Sequence, residues 1–292
     1  MSSSINDVYE LIPASKFSID QLTNIYNQTR VGYMIPMPMN AATLAEYIKK
    51  YDVDLDHSQI ASQKGSLHGI ALLGVRVDRT WITRLGVIPS TRRSGVGEML
   101  SRSLLEQSRS LGIAFTMLEV IKNNTPAHHL FSKLGFYEVG ELLILRRSPS
   151  RQAIKPVNAD AHRLERNEAL DLIRLDRGIQ PWTNQFESMA HAENVSGMRI
   201  ALPDGGRGSL IYQREKNMLT HFIFKTEEGD PELVAFALLS HLHHLYPRLD
   251  AHIENIRIND PHLPGFYKMG YVESFRRIEM WHGTPPLRSI GS

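Results

Sequence analysis

The 292-residue chain predicts an α+β fold in two copies, each a mixed, mainly antiparallel central sheet flanked by helices. Three observations lead there. Amphipathic helical stretches alternate with short β-rich runs along the whole length. A polar segment with two prolines, 148–156, interrupts the middle. A shift of 135 positions lays Glu119 on Glu254, Asn124 on Asn259, Phe131 on Phe266, Lys133 on Lys268, Gly135 on Gly270 and Phe136 on Tyr271. The expected domains are residues 1–147 and 157–292, joined by a linker over 148–156.

The elements follow in order. Ser18 caps a helix whose Ile19, Leu22, Ile25 and Tyr26 share one face. The run 31–39 cannot be regular helix, because Pro36 and Pro38 remove donors and restrict their neighbours. A second helix fits 41–50. Strand signals at 59–62, 68–77 and 80–87, with tight turns at 63–66 and 78–79, read as an antiparallel meander. A helix over 97–109, a strand over 115–121, a helix over 126–134 and a strand over 142–147 complete the first half. The second half repeats the plan: helix 167–175, strands 198–202, 209–213 and 218–225, helix 231–245, strand 251–258, a short helix 263–268 and a final strand 273–281.

Composition removes several functional classes. There is no Cys, so disulfides, thiolate nucleophiles and thiolate metal sites are out. The net charge of +2 supports no nucleic-acid partner. The start MSSSINDVYELIP has no secretory pattern, and the longest apolar runs are too short to span a bilayer, so no membrane partner and a cytoplasmic location are expected. His241 and His244 share a helix face, but no carboxylate completes a metal site, and a solvated face is the expectation there. A homodimer is compatible with the sequence.

The sharpest chemical feature is the loop Arg92-Arg93-Ser94-Gly95-Val96-Gly97, between a strand and a helix. Its glycines free the backbone to point N–H groups at one spot, and a helix N-terminus favours an anion there. It lacks the Gly-Lys-Ser/Thr of a P-loop and the glycine spacing of a dinucleotide fingerprint.

The run Arg92-x-x-Gly95-x-Gly97, followed by Leu118-Glu119-Val120-x-x-x-Asn124 and Leu130-Phe131-x-Lys133-Leu134-Gly135-Phe136, resembles the GCN5-related N-acetyltransferase (GNAT) superfamily over roughly residues 10–147. The resemblance implies tandem GNAT-like domains and an acetyl-CoA site without metal. Arg92, Arg93, Ser94, Gly95, Val96 and Gly97 would hold the pyrophosphate. The strand end Leu85, Gly86 and Val87 would pair with the pantetheine arm, Asn124 would contact it, and Phe131 and Lys133 would lie along the CoA.

Acyl transfer needs a neutral amine, and Glu119 is the candidate general base. Phe131 stands where many relatives carry a Tyr acid, and the strand 81–84 carries no carboxylate. His128, Tyr33 and Asp56-His57 are spare candidates. Tyr33, Met34 and Met37 are expected on the acceptor side, and Asp52-x-Asp54-x-Asp56 is either an acidic pocket or a wet strand face. With the same offset Arg92 falls on Glu227, Gly95 on Asp230 and Gly97 on Glu232, so the second half is expected to lack the anion cradle. The expected reaction is acetyl transfer from acetyl-CoA to a small-molecule or peptide amine. A non-catalytic acyl-CoA sensor and a transferase of longer acyl groups are the alternatives.

Overall fold

The computed structural model describes residues 9–150, 154–174 and 178–286. The middle of the expected linker, 151–153, and the end of the expected helix at Leu175 lie outside the described residues. Two compact units form, one from 1–139 with 279–292 and one from 140–278. The expected boundary at 147 therefore falls inside the second unit.

In the first unit the order is β1 (Glu10–Pro13), α1 (Ile19–Thr29), α2 (Ala41–Lys50), β2 (Val53–Gln63), β3 (Ser66–Arg76), β4 (Arg79–Val87), α3 (Val96–Ser110), β5 (Thr116–Ile121) and α4 (Thr125–Lys133). Ser18 and Gln21 form a reciprocal capping box at the start of α1, and Asn40 caps α2. Lys64 and Gly65 both take positive φ in the turn between β2 and β3, the handedness a two-residue hairpin needs. The next turn is Val77-Asp78, one residue earlier than expected, because Arg79 already pairs with Arg76. Strands β1 to β5 lie in sequence order in the sheet.

The last pairing matters most. β4 and β5 run parallel, and only Thr80↔Thr116 and Trp81↔Met117 are in register. Beyond Trp81 the two strands part. On its other side β4 carries a bulge: Gly86 pairs with Ile70 and Thr83 with Leu72, so two residues of β4 oppose one of β3. Arg84 sits in that bulge with φ 52°, a left-handed conformation costly for a side chain with a Cβ.

The second unit comprises most of β6 (Tyr137–Arg147), β7 (Asp160–Leu164), α5 (Arg166–Arg174), α6 (Phe186–His191), β8 (Val195–Ala201), β9 (Arg207–Arg214), β10 (Met218–Glu228), α7 (Pro231–Leu245), β11 (Asp250–Arg257), α8 (Leu263–Lys268) and β12 (Val272–His282) up to Ile278. Its strands follow the order β6-β11-β10-β9-β8-β7. The parting recurs: parallel β10 and β11 are in register only at Met218↔Asp250 and Leu219↔Ala251, and His221 in the bulge of β10 has φ 55°. Strand β6, which precedes the linker, pairs antiparallel with β11 of this unit, and the last residues of β12, from Glu279, belong to the first unit. The final strand of the first half is thus counted mostly with the second unit, and the end of β12, 279–282, with the first.

The second core gathers Leu143, Tyr212, Phe222, Leu238, Ile253 and Phe266. Helix α7 is apolar on most sides and buries His243, whereas His241 is half-buried and His244 exposed, so the expected solvated face is kept only at its outer edge. His243 is fully buried and its Nε2 meets Tyr271 Oη at 2.9 Å. His241 Nε2 contacts the carbonyl of Val157 and His244 Nδ1 that of Ile154, so two histidines clasp the segment after 153. Among the described residues no helix is long and apolar enough to cross a membrane.

Burial, with a smaller push from Arg147, lowers His243 to about 3. The folded chain keeps this ring neutral while the unfolded chain protonates it below about 6.5. The stability it provides is complete above that value and is lost as pH falls toward 3, by about 1.4 kcal/mol per unit at the steepest. Urea unfolding of His243→Gln should show a pH slope between 6 and 4 shallower by about one proton than the parent chain.

Candidate functional site

The site grows from the end of β4. Ile88 leads into a 3-10 turn, Pro89–Thr91, and the chain then alternates hand: Arg92 has φ −60°, Arg93 +68° and Gly95 +90°. Such alternation makes a concave nest of N–H groups. Gly95 is the N-cap of α3, and no side chain caps the helix. The first main-chain bond closing the helix runs from Met99 N to Gly95 O, so the N–H groups of Val96, Gly97 and Glu98 precede any intrahelical acceptor. These donors, the helix dipole and the exposed Arg93 converge on one place, which suits a diphosphate. Ser94 Oγ donates to Thr91 O at 2.7 Å and stiffens the turn.

Glu98 stands in the first turn of α3 and would repel an anion if unopposed. Lys133 Nζ at 2.7 Å and Arg102 NH2 at 2.8 Å oppose it. Their hydrogen bonds hold its carboxyl below the usual carboxylate range. Lys133 is thus tied to the cradle through Glu98. Arg92 reaches backward: NH2 donates to Thr29 O at 3.1 Å and Val31 O at 2.9 Å, and Nε to Val87 O at 3.3 Å. It anchors the C-terminal carbonyls of α1 beside the loop. Phe131 is buried and its ring lies 5.7 Å from that of Phe136, edge to face.

Between β4 and β5 lies the gap into which Glu119 projects, partly buried, with Trp81 Nε1 donating to its Oε2 at 2.8 Å. Tyr47 is near: its Oη is 2.5 Å from Thr83 Oγ1, and its ring is 6.2 Å from that of Trp81. Burial pushes the Tyr47 hydroxyl up to about 12, with Glu119 acting in the same direction and Arg84 and Thr83 against it. Arg84 sits 4.1 Å above the Tyr47 ring.

The run 31–39 is pinned to α1. Tyr26 Oη donates to Met37 O at 2.9 Å, and Asn27 exchanges two hydrogen bonds with the main chain of Met39. Met34 is half exposed. Asn124 caps α4, accepting from Ala127 N, and its Nδ2 donates to Tyr33 Oη at 3.2 Å. One contact therefore joins a residue expected on the pantetheine side to one expected on the acceptor side. Leu85, Gly86 and Val87 are half-buried at the end of β4, and Leu85 O accepts from Arg30 NH2 at 3.2 Å.

Other candidates have structural partners. His128 pairs with Glu138, His57 Nδ1 with Asp54 Oδ2, and Asp52 with Arg76. Asp54 also accepts from the N–H groups of Asp56 and His57. The acidic alternation is therefore a structural turn rather than an acidic pocket. Sequence reasoning missed Arg30, Tyr47, Trp81 and Arg84. Only the run of Tyr and Arg across 26–33, 47 and 84 hinted at them. Among the described residues no group of three or more His, Asp or Glu could hold a metal ion.

The second unit answers its own helix start differently. Asp230 caps α7, accepting from Glu232 N, and Pro231 at the first position has no N–H to offer. Near its parted strands, Trp182, Thr183 and Asn184 are buried, Asn184 Nδ2 donates to Asn255 O, and Asn255 Nδ2 donates to Thr183 Oγ1. Glu254, the counterpart of Glu119, is paired with Arg277 at 2.7 Å. Some partners recur in both units. Lys268 pairs with Glu232 as Lys133 does with Glu98, Phe266 meets Tyr271 as Phe131 meets Phe136, and Gly135 and Gly270 have φ 91° and 85°.

Residues 20–136 match the model of the acetyltransferase (GNAT) family. No curated protein sequence matches the chain. Among solved structures, a GCN5-related N-acetyltransferase from Sphaerobacter thermophilus is similar over 95% of this chain and 96% of its own, with a TM-score of 0.69 and 13% identity. A tandem GNAT protein from the clavulanic acid biosynthesis pathway covers 95% of this chain and 99% of its own at TM-score 0.67 and 13% identity. A GCN5-related glucosamine N-acetyltransferase region of a fungal β-N-acetylglucosaminidase covers 96% of this chain and 39% of its own at 0.71 and 14%. At such identities the likeness is one of fold.

Two glycines of the site differ in how far they are constrained. A Cβ on Gly86 would overlap Thr29 of α1, whereas one on Gly97 would meet Leu130 and Val87 at 3.7 Å, ordinary contact. Gly86→Ala should lower stability by about 1–3 kcal/mol and Gly97→Ala by under about 1 kcal/mol, read by thermal and urea unfolding.

Proposed function

We propose, from the match of residues 20–136 to the model of the acetyltransferase (GNAT) family, that the first unit transfers an acetyl group from acetyl-CoA directly to an amine. The observation that carries the reading is the uncapped, nest-forming N-terminus of α3 beside the parted strands β4 and β5. The N–H groups of Val96, Gly97 and Glu98 would hold the pyrophosphate of CoA, in a loop shaped by Ser94 and Gly95 and with Arg93 adding charge. Arg92 fixes the loop. Leu85, Gly86, Val87 and Asn124 would line the pantetheine arm, in the way a strand edge receives an extended peptide. Acetyl-CoA brings the activated acyl group as a thioester.

The residues of this chain then position and deprotonate. Glu119 would take a proton from the acceptor amine, directly or through one water, while Trp81 holds its second oxygen in place. Tyr33, Met34 and Met37 would cover the acceptor, a small-molecule or peptide amine. The chain has no Cys for an acyl-thioester intermediate, so direct transfer is the simplest route. Phe131 offers no proton to a leaving thiolate, and this favours a second reading, an acyl-CoA-binding protein without turnover.

Thiol release from acetyl-CoA with a broad panel of amines separates the two. Turnover with at least one amine supports transfer, and binding without any turnover supports the second reading. Gly97→Glu should weaken CoA binding by at least about 100-fold by placing a carboxylate in the cradle. Glu119→Gln should lower kcat by about 10²-fold while leaving CoA affinity within about threefold. An unchanged kcat would remove Glu119 from the chemistry.

A further inference from the structure

Side chains of the first unit form one continuous line of contacts that ends at Glu119, on the strand that parts from β4. Asn124 Nδ2 donates to Tyr33 Oη at 3.2 Å. The Arg30 guanidinium lies 4.6 Å from the Tyr33 ring and 4.8 Å from the Tyr26 ring. The Arg84 guanidinium lies 5.7 Å from Tyr26 and 4.1 Å from Tyr47. The Tyr47 ring is next to Trp81, and Trp81 donates to Glu119. The line runs from the cap of α4 to the carboxylate given the role of base.

Two guanidiniums between three tyrosine faces form a rigid cationic wall. Arginine keeps its charge at every working pH and offers a planar fork that fits a carboxylate or phosphate with two parallel hydrogen bonds. The π faces spend no donor N–H, and Arg30 is held further by NH2 donating to Leu85 O at 3.2 Å. Arg30 Nε is buried with no hydrogen-bond partner among the described residues, a donor that a ligand oxygen would satisfy.

We infer that this ladder recognises an acceptor carrying an acid group close to its amine, an amino-acid-like amine rather than a polyamine. The inference rests on the acetyl-transfer reading for the identity of the site. Coulomb's law gives the selection. Arg30 and Arg84 repel an acceptor with several ammonium groups, and Glu119 alone does not offset both. An acid group on the acceptor meets the guanidiniums and leaves its amine toward Glu119. Nearby positive charge also favours the neutral amine, the form that attacks a thioester.

The test uses product pairs that differ only in the acid group, titrated calorimetrically into the full chain in the presence of saturating CoA. The pairs are N-acetylleucine against N-(3-methylbutyl)acetamide, N-acetylphenylalanine against N-phenethylacetamide, and N-acetylglycine against N-methylacetamide. At least one carboxylate member should bind about tenfold or more tighter than its partner. Arg30→Gln and Arg84→Gln should each shrink that gap, and Arg30→Lys should restore only part of it, since it returns charge without the fork. Circular dichroism identifies a variant that has not folded, and the other variant then decides. Equal affinities in all pairs, binding by no member, or a gap that survives both Gln variants overturns the inference. Turnover of the parent amines is a separate reading: carboxylate-selective binding without thiol release would overturn acetyl transfer and leave the recognition wall standing.

Discussion

A parallel strand pair that stops after two residues governs the rest of this molecule. Once β4 and β5 lose register beyond Trp81 and Met117, their backbone groups no longer satisfy each other, and a wedge opens in the sheet. The bulge at Arg84 deepens the departure by turning β4 away. The helix that follows β4 then begins at the mouth of the wedge, with its unpaired N–H groups facing the place where the strands part. Glu119 enters the same space from β5. Cradle, channel and carboxylate are consequences of one interrupted ladder.

The second unit shows the same scaffold with a different helix start. It has the same two-residue parallel pairing and a left-handed residue in the equivalent bulge. Its helix start, however, is satisfied internally by Asp230 and shortened of a donor by Pro231. Near its wedge lie the buried Trp182 and an amide network around Asn255. Residues that recur with the same partners in both units, Phe131 and Phe266, Lys133 and Lys268, Gly135 and Gly270, close the helix after the wedge and are explained by fold. Residues that differ, Gly95 against Asp230 and Gly97 against Glu232, lie where an anion would sit. The comparison within one chain separates scaffold from site.

Much of this was legible before any coordinates. Helix periodicity placed α2, α7 and α8 to the residue, since their caps and prolines mark the ends. The strands β1 and β7 were not seen, because four or five residues at a sheet edge carry too short an alternation to register. The placement of β6 with the second unit was also invisible. Its antiparallel pairing with β11 joins residues more than a hundred positions apart, which no local pattern reveals. The cradle loop was readable because glycine and arginine spacing states a backbone requirement. The line of Tyr26, Arg30, Tyr33, Tyr47 and Arg84 was not, because it joins residues of two helices, a loop and a bulge whose approach no local pattern records. In α7 the spacing of His241 and His244 marked the outer face, and the burial of His243 between them was not legible because it depends on the packing of Tyr271, which precedes β12.

The electrostatics fit the same division. Net charge near zero hides a local asymmetry, with Arg93 and an open helix start in one unit and Glu227, Glu228, Asp230 and Glu232 around the corresponding helix start in the other. On the proposed function, one of two similar helix starts receives CoA and the other does not. Amide hydrogen exchange of the full chain, read by mass spectrometry with and without CoA, addresses it at both places in one experiment. CoA binding at the first helix start alone slows exchange across 93–98 and leaves 228–234 unchanged. Slowing at both helix starts, or at the second alone, would contradict it.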